Sequence, residues 1–295
     1  MKLSIKSIYK NPEIVYSYID ELVNLPTIPL IIKKINEVTR DPASSAKDLE
    51  KVILQDQSLT AKVLSLSNSA YYSFGREIKS VWQAIVLLGF ETVKNLAISL
   101  SIINLFKSTN WVKEINPEKF WVHAFGVGVT ADYIAAHSPQ IPRQVAYLAG
   151  LLHDIGKVVF LKALEGEYME VIDYAQNIGC SIWDAEESIL GINHAKVGGY
   201  LAQKWVLPTE IKMAITYHHE PLSTDEHQIY PILINMADQI IKEVKIGFAG
   251  DNVVKKIPET YIFKLKISSI DILQCKEYLK EEQESIETLA KVIQE

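Results

Sequence analysis

The chain has 295 residues, 48% hydrophobic and 22% charged, which excludes disordered, collagenous and coiled-coil proteins and allows about two units of roughly 150 residues. Thirty Lys and Arg against 36 Asp and Glu give a formal net charge of -6. The broad positive field that attracts phosphate backbones is missing, so nucleic acid is not an expected partner.

Two distant cysteines, Cys180 and Cys275, make neither a disulfide framework nor a thiolate metal site, and a reducing cytoplasm is the expected location. Met1 to Tyr16 is broken by Lys6, Lys10, Asn11, Pro12 and Glu13 and has no apolar core of signal-peptide length. The most apolar stretch, Leu87 to Phe106, carries Glu91, Lys94 and Asn95, unlike a membrane span. A soluble protein without membrane insertion is expected.

Helical periodicity recurs along the chain and strand-like alternation is scarce, so the expected fold is all-α. Ile28, Ile31, Ile32 and Ile35 share a helix face that Thr27 can cap, with Pro29 in the first turn. Further stripes follow: Leu59, Val63, Leu66 and Ala70; Val81, Ala84, Ile85 and Leu88 behind a Ser80 to Gln83 capping box; then Val93, Leu96, Ala97 and Leu100. The pattern lapses from Ser108 to Pro117, where Asn116-Pro117 reads as a helix start. Residues 1–110 therefore form one expected helical module, packed beside a second at 111–250, with a linker and helices at 251–295. The second set of predicted helices spans Pro117 to Ala136, Gln144 to Lys162, Gly166 to Ile178, Ser181 to Leu190, Asn193 to Lys204, Pro208 to His219 and Tyr230 to Lys242. Two weaker segments, Ser268 to Leu279 and Glu281 to Ile293, follow a polar stretch that begins at Asp251.

The amino-terminal module has no histidine, whereas His123, His153, His194, His218 and His219 join Asp154 and Asp238 at positions that helical geometry can turn inward. Ile211, Ala214, Ile215, His218 and His219 share one face, His194 opens a stripe through Val197, Leu201 and Trp205, and Asp238 lies with Ile234 and Ile241. Burying so many ionisable groups without partners is costly, and a metal ion holds neutral imidazoles and carboxylates together. Ligation by nitrogen and oxygen alone suits iron, manganese, zinc or nickel, one ion or two; unrelated core or surface polar residues are the alternative.

Leu151-Leu152-His153-Asp154-Ile155-Gly156-Lys157, followed by His194, His218-His219 and Asp238, resembles the HD superfamily of metal-dependent phosphohydrolases. Leu25-Pro26-Thr27-Ile28-Pro29, Asp56-Gln57-Ser58-Leu59-Thr60, Asn68-Ser69-Ala70 and Ala84-Ile85 with Leu88-Gly89 narrow the resemblance to the HDOD family. That resemblance implies a helical bundle in a bacterial signalling protein with a protein partner, in a branch that often lacks metal ligands and catalysis. Here, by similarity to dimetal HD-GYP phosphodiesterases, His123, His153, His194, His218, His219 and Asp238 match terminal ligands and Asp154 the bridging carboxylate. Lys157, one turn after Asp154, matches a lysine that meets substrate phosphate or metal-bound water in HD enzymes; a solvent-facing lysine is the alternative.

The Gly-Tyr-Pro loop of the HD-GYP enzymes is replaced by Glu220-Pro221-Leu222-Ser223-Thr224-Asp225, which argues against cyclic-dinucleotide hydrolysis. The leading expectation is a signal-transduction protein with a mono- or dinuclear metal site. A phosphohydrolase acting on a nucleotide or other phosphoester through Asp154 and Lys157 is the alternative. His137 and His227 read as cap or surface residues, Gly198-Gly199 as close helix packing, Trp82, Trp111, Trp121, Trp183 and Trp205 as core anchors, and Asn68 as a helix-end hydrogen-bonding device.

Overall fold

The structure, a computed structural model, describes residue 16 and residues 30–72 and 75–294. The Leu25 to Pro29 motif and the Thr27 cap lie outside the described residues. Among those residues there is no strand, and the expected all-α class holds. The amino-terminal helices are α1 (Leu30–Arg40), α2 (Ala46–Ile53), α3 (Gln57–Ser67), α4 (Val81–Leu88) and α5 (Phe90–Leu105), with a 3-10 turn at Ala70–Tyr72. Helix α5 is buried from Val93 to Ile103, and α1, α2, α3 and α4 all pack against it. Asp56 caps α3 by accepting from the Leu59 N–H at 2.9 Å. Asn68 ends that helix: its amide donates to the Leu64 and Ile78 carbonyls at 2.9 and 2.8 Å and accepts from the Ile78 N–H at 2.7 Å. The Ser80 cap is present, but Gln83 reaches back to the N–H of Lys79 rather than that of Ser80.

The second set comprises α6 (Pro117–His137), α7 (Arg143–Leu152), α8 (Ile155–Ala163), α9 (Glu165–Ile178), α10 (Ile182–Leu190), α11 (His194–Lys204), α12 (Thr209–Tyr217) and α13 (Ile229–Val244). Asn116 caps α6 with Pro117 in its first turn, as the sequence indicates. Helices α6 and α7 meet at two glycines: a Cβ on Gly150 would lie 2.8 Å from the Gly128 Cα. Close packing also explains Gly198-Gly199, since a Cβ on Gly199 would lie 2.0 Å from the Thr216 hydroxyl on α12.

Two expectations need correction. The single helix expected from Gln144 to Lys162 is interrupted at His153-Asp154, and α12 ends at Tyr217, leaving His218-His219 in the following turn. Past the first break α8 lies tightly on α11, where a Cβ on Gly156 would lie 2.0 Å from the His194 carbonyl oxygen. In the carboxy-terminal part, α14 (Glu259–Leu265) was not foreseen; α15 (Ser269–Glu281) and α16 (Gln283–Gln294) follow it. Helix α16 packs on α6 and also on α3, α5 and the 3-10 turn, with Ile286, Leu289 and Ala290 fully buried. Trp121 and Trp205 are core residues, whereas Trp82 is 40% exposed and is no anchor. The stretch 143–163 is long and apolar enough to cross a membrane, but it forms buried α7 and α8.

Candidate metal centre

The seven histidines and aspartates singled out in the sequence converge. Asp154, His194, His218 and His219 form one group and His123, His153 and Asp238 another, each with potential ligand atoms within 4.8 Å of one another. Helix α6 supplies His123, the break between α7 and α8 supplies His153 and Asp154, α11 opens with His194 behind its Asn193 cap, and α13 supplies Asp238. Successive residues of an unbroken helix diverge by about 100 degrees. Ending α7 and α12 just before the His-Asp and His-His pairs lets both members of each pair face one cavity.

Asp154 joins the two groups. Its Oδ1 lies 3.1 Å from His194 Nε2 and 3.8 Å from His218 Nε2, while its Oδ2 lies 3.3 Å from His153 Nε2 and 3.9 Å from His123 Nε2. Asp238 Oδ1 lies 3.1 Å from His123 Nε2 and 3.9 Å from His153 Nε2. His219 Nε2 is 3.0 Å from His194 Nε2. Six of these seven residues are at most 2% exposed, and His219 is partly exposed beside Trp183.

The outer hydrogen bonds fix which nitrogen faces inward. His153 Nδ1 lies 2.7 Å from the Gly150 carbonyl oxygen, His218 Nδ1 2.8 Å from that of Ile215, and His194 Nδ1 2.6 Å from Glu186 Oε2. An Nδ1–H donated outward leaves the Nε2 lone pair free to bind a cation. Buried polar atoms are ordinarily partnered. Here His123 Nε2, His153 Nε2, His218 Nε2, Asp154 Oδ1 and Asp238 Oδ1 are buried without a hydrogen-bond partner, all at the centre of the cluster. This donor set fits a metal ion, with oxygen and nitrogen ligands and no thiolate.

Electrostatics prepares most of the set for a cation. Burial alone would raise the carboxyls, but His153 and Lys157 hold Asp154, and Lys242 and His123 hold Asp238, well below the usual carboxylate range. Burial, reinforced by neighbouring imidazoles, keeps His218 and His219 well below the ordinary histidine value, and burial lowers His123. These three are neutral near pH 7. His194 differs: burial pulls it down, but Glu186 and then Asp154 raise it overall.

Lys157 is 1% exposed, which removes the solvent-facing alternative; its Nζ donates to Asp154 Oδ2 at 2.7 Å and to the Ala249 carbonyl at 3.1 Å. His137, bonded to the Tyr133 carbonyl, is exposed, and His227 lies in the turn before α13; neither joins the cluster.

Sequence reasoning missed three supporting groups. Glu186 is fully buried on α10, where it accepts from the His194 N–H at 2.7 Å and from the Tyr168 hydroxyl at 2.7 Å. Lys242 lies 3.1 Å from Asp238 Oδ2 and 3.4 Å from Asp251 Oδ1. Asp251, placed at the start of a polar linker, is a buried side chain that also accepts from the Ile182 N–H. The signals were present: Glu186 interrupts an apolar face, and Lys242 follows Asp238 at i+4. The segment before Asp251 packs on the backbone of α6 at His123, with Gly247 at φ +70 where a Cβ would lie 2.2 Å from the His123 backbone nitrogen.

The HDOD domain family matches residues 25–221, two thirds of the sequence. The chain belongs to the HDOD family. An HDOD domain protein of unknown function from Geobacter sulfurreducens is 27% identical, with a TM-score of 0.79 over 96% of this chain and 99% of that one. A candidate signal transduction protein from Marinobacter aquaeolei VT8 shares the fold at 23% identity, with a TM-score of 0.82 over 95% of this chain and 65% of that one. An uncharacterized protein of Treponema pallidum (strain Nichols) is 26% identical over 257 residues, which are 86% of this HDOD chain but 48% of that relative.

Proposed function

We propose that this HDOD protein is a signal-transduction module whose second half holds one or two divalent metal ions, through His123, His153, Asp154, His194, His218, His219 and Asp238, in a largely buried centre that does not turn over substrate. The observation that carries the metal is the gathering of five unpartnered buried atoms within the two adjoining ligand groups. A bound ion would complete their coordination, and Asp154, with its two oxygens facing different groups, is suited to lie between two ions. Iron, manganese, zinc and nickel all suit this donor set.

The depth of the centre and the absence of a Gly-Tyr-Pro loop after His219 support signalling over hydrolysis. A catalytic metal keeps a position open to water and substrate. Here Lys157 is engaged by Asp154 and Ala249, and six of the seven candidate ligands are at most 2% exposed. Both longer relatives carry chain beyond the shared region, which fits a module that works beside another, with a protein as its immediate partner. The alternative, a phosphohydrolase in which Asp154 and Lys157 serve catalysis on a phosphoester or nucleotide, draws on the full ligand set.

A turnover panel separates the readings. Protein loaded with manganese, iron or zinc is assayed on p-nitrophenyl phosphate, bis-p-nitrophenyl phosphate and cyclic dinucleotides beside Asp154→Ala. We expect both proteins to match the blank; turnover by the parent that disappears in the variant would establish the hydrolase reading.

A further inference from the structure

The two ligand groups differ in the charges that back them. Asp154, His194, His218 and His219 offer four donors, and a carboxylate stands behind them, Glu186 Oε2 lying 2.6 Å from His194 Nδ1. His123, His153 and Asp238 offer three, and ammonium groups stand behind them. Asp154 Oδ2, the oxygen on that side, accepts from Lys157 Nζ at 2.7 Å, and Asp238 Oδ2 lies 3.1 Å from Lys242 Nζ. Both lysines are held in place. Lys157, 1% exposed, also donates to the Ala249 carbonyl at 3.1 Å, and Lys242, 8% exposed, lies 3.4 Å from Asp251 Oδ1.

Charge decides how many ions such a site can hold. The buried carboxylates at the centre are Asp154, Glu186, Asp238 and Asp251, and the buried ammonium groups are Lys157 and Lys242. With the imidazoles neutral, as ligation requires, four negative charges meet two positive ones. One divalent ion cancels the remainder. A second would leave two positive charges in a largely buried site, where uncompensated charge is strongly disfavoured. An ammonium group seated on the shared carboxylate also repels a cation approaching the same oxygen.

We infer that the centre takes one divalent ion, on Asp154 Oδ1, His194, His218 and His219, and that Lys157 stands in for a second ion beside His123, His153 and Asp238. The inference rests on the metal reading proposed above and narrows it. Asp154 has the shape of a bridge between two ions, but Lys157 occupies its second oxygen. The unpartnered Nε2 atoms of His123 and His153 and the Oδ1 of Asp238 then form a latent site, which fills when the ammonium group is removed.

Calorimetric titration of the chelator-treated full chain with manganese(II), followed by electron paramagnetic resonance, tests this. The parent should bind one tight equivalent and give the spectrum of an isolated ion. His218→Ala should lose that equivalent, and His123→Ala should keep it. Lys157→Met removes the charge at similar length; it should take up a second equivalent at least about tenfold more tightly than the parent, with the spectrum of a spin-coupled pair. The thermal midpoint of each variant confirms folding, and if Lys157→Met does not fold, the parent count and the two histidine variants still decide. Two equivalents of similar affinity in the parent, loss of the tight equivalent in His123→Ala, or a folded Lys157→Met that still binds only one would overturn the inference and leave the metal centre standing. No manganese bound by the parent would overturn the metal centre and this count with it.

Discussion

Asp154 and His123 differ in what they touch, and that difference predicts unequal consequences. Asp154 approaches four imidazoles and Lys157, whereas His123 approaches two carboxylates and the His153 ring. Asp154→Ala should therefore empty the centre more completely than His123→Ala, as measured by metal titration of each purified variant. Glu186 acts one step away, orienting His194 through its Nδ1. Glu186→Gln keeps the shape but loses the charge, and we expect metal affinity to fall by about 10- to 100-fold while the helical circular dichroism persists.

The same residues set a pH dependence for the metal-free protein. His218, His219 and His123 have lowered values in the fold, so near and below about pH 6.5 the unfolded chain takes up protons that the folded chain refuses. Their contribution to stability is present above that pH and is lost as pH falls towards their folded values. His194, raised by Glu186 against its burial, works in the opposite direction and loses its contribution as pH rises. His218 and His219 lie well below the ordinary histidine value, and they set the net direction. The melting temperature of chelator-treated protein should fall between pH 7 and 5, and changing His218 and His219 together to Gln should flatten that fall; a rise on acidification would contradict the assignment.

At the level of elements, the tight approach of α8 to α11 sets the position of His194. Gly156→Ala forces a methyl group against the His194 carbonyl and should cost about 1–3 kcal/mol in denaturant unfolding, with weaker metal binding. An equally stable variant would show that the contact is slack. Much of this layout was legible beforehand: the apolar period located most helices, and Asn116-Pro117 marked the start of α6. The breaks at His153-Asp154 and before His218-His219 were not legible, because the apolar period continues through both without a proline or a glycine at the break. Glu186, Lys242 and Asp251 were missed for a related reason, since their partners lie on other elements and sequence spacing does not encode them.

For the whole molecule, we propose that the two helical sets are distinct modules divided near residues 106–116, a stretch without helix. They are tied by α16 and by the contact of α5 with α7. Fully buried Leu289 on α16 tests how closely they are coupled. Leu289→Ala should cost about 2–5 kcal/mol, with amide exchange accelerating in both α3 and α6 rather than in one alone.

The metal content of the protein, purified without chelator and without a histidine tag, tests the central claim most directly. Elemental analysis should find about one to two equivalents of iron, manganese, zinc or nickel per chain, retained through gel filtration and lost in Asp154→Ala. Less than about a tenth of an equivalent, with no recovery when those ions are added back, would contradict the account and leave the buried histidines as parts of a metal-free scaffold.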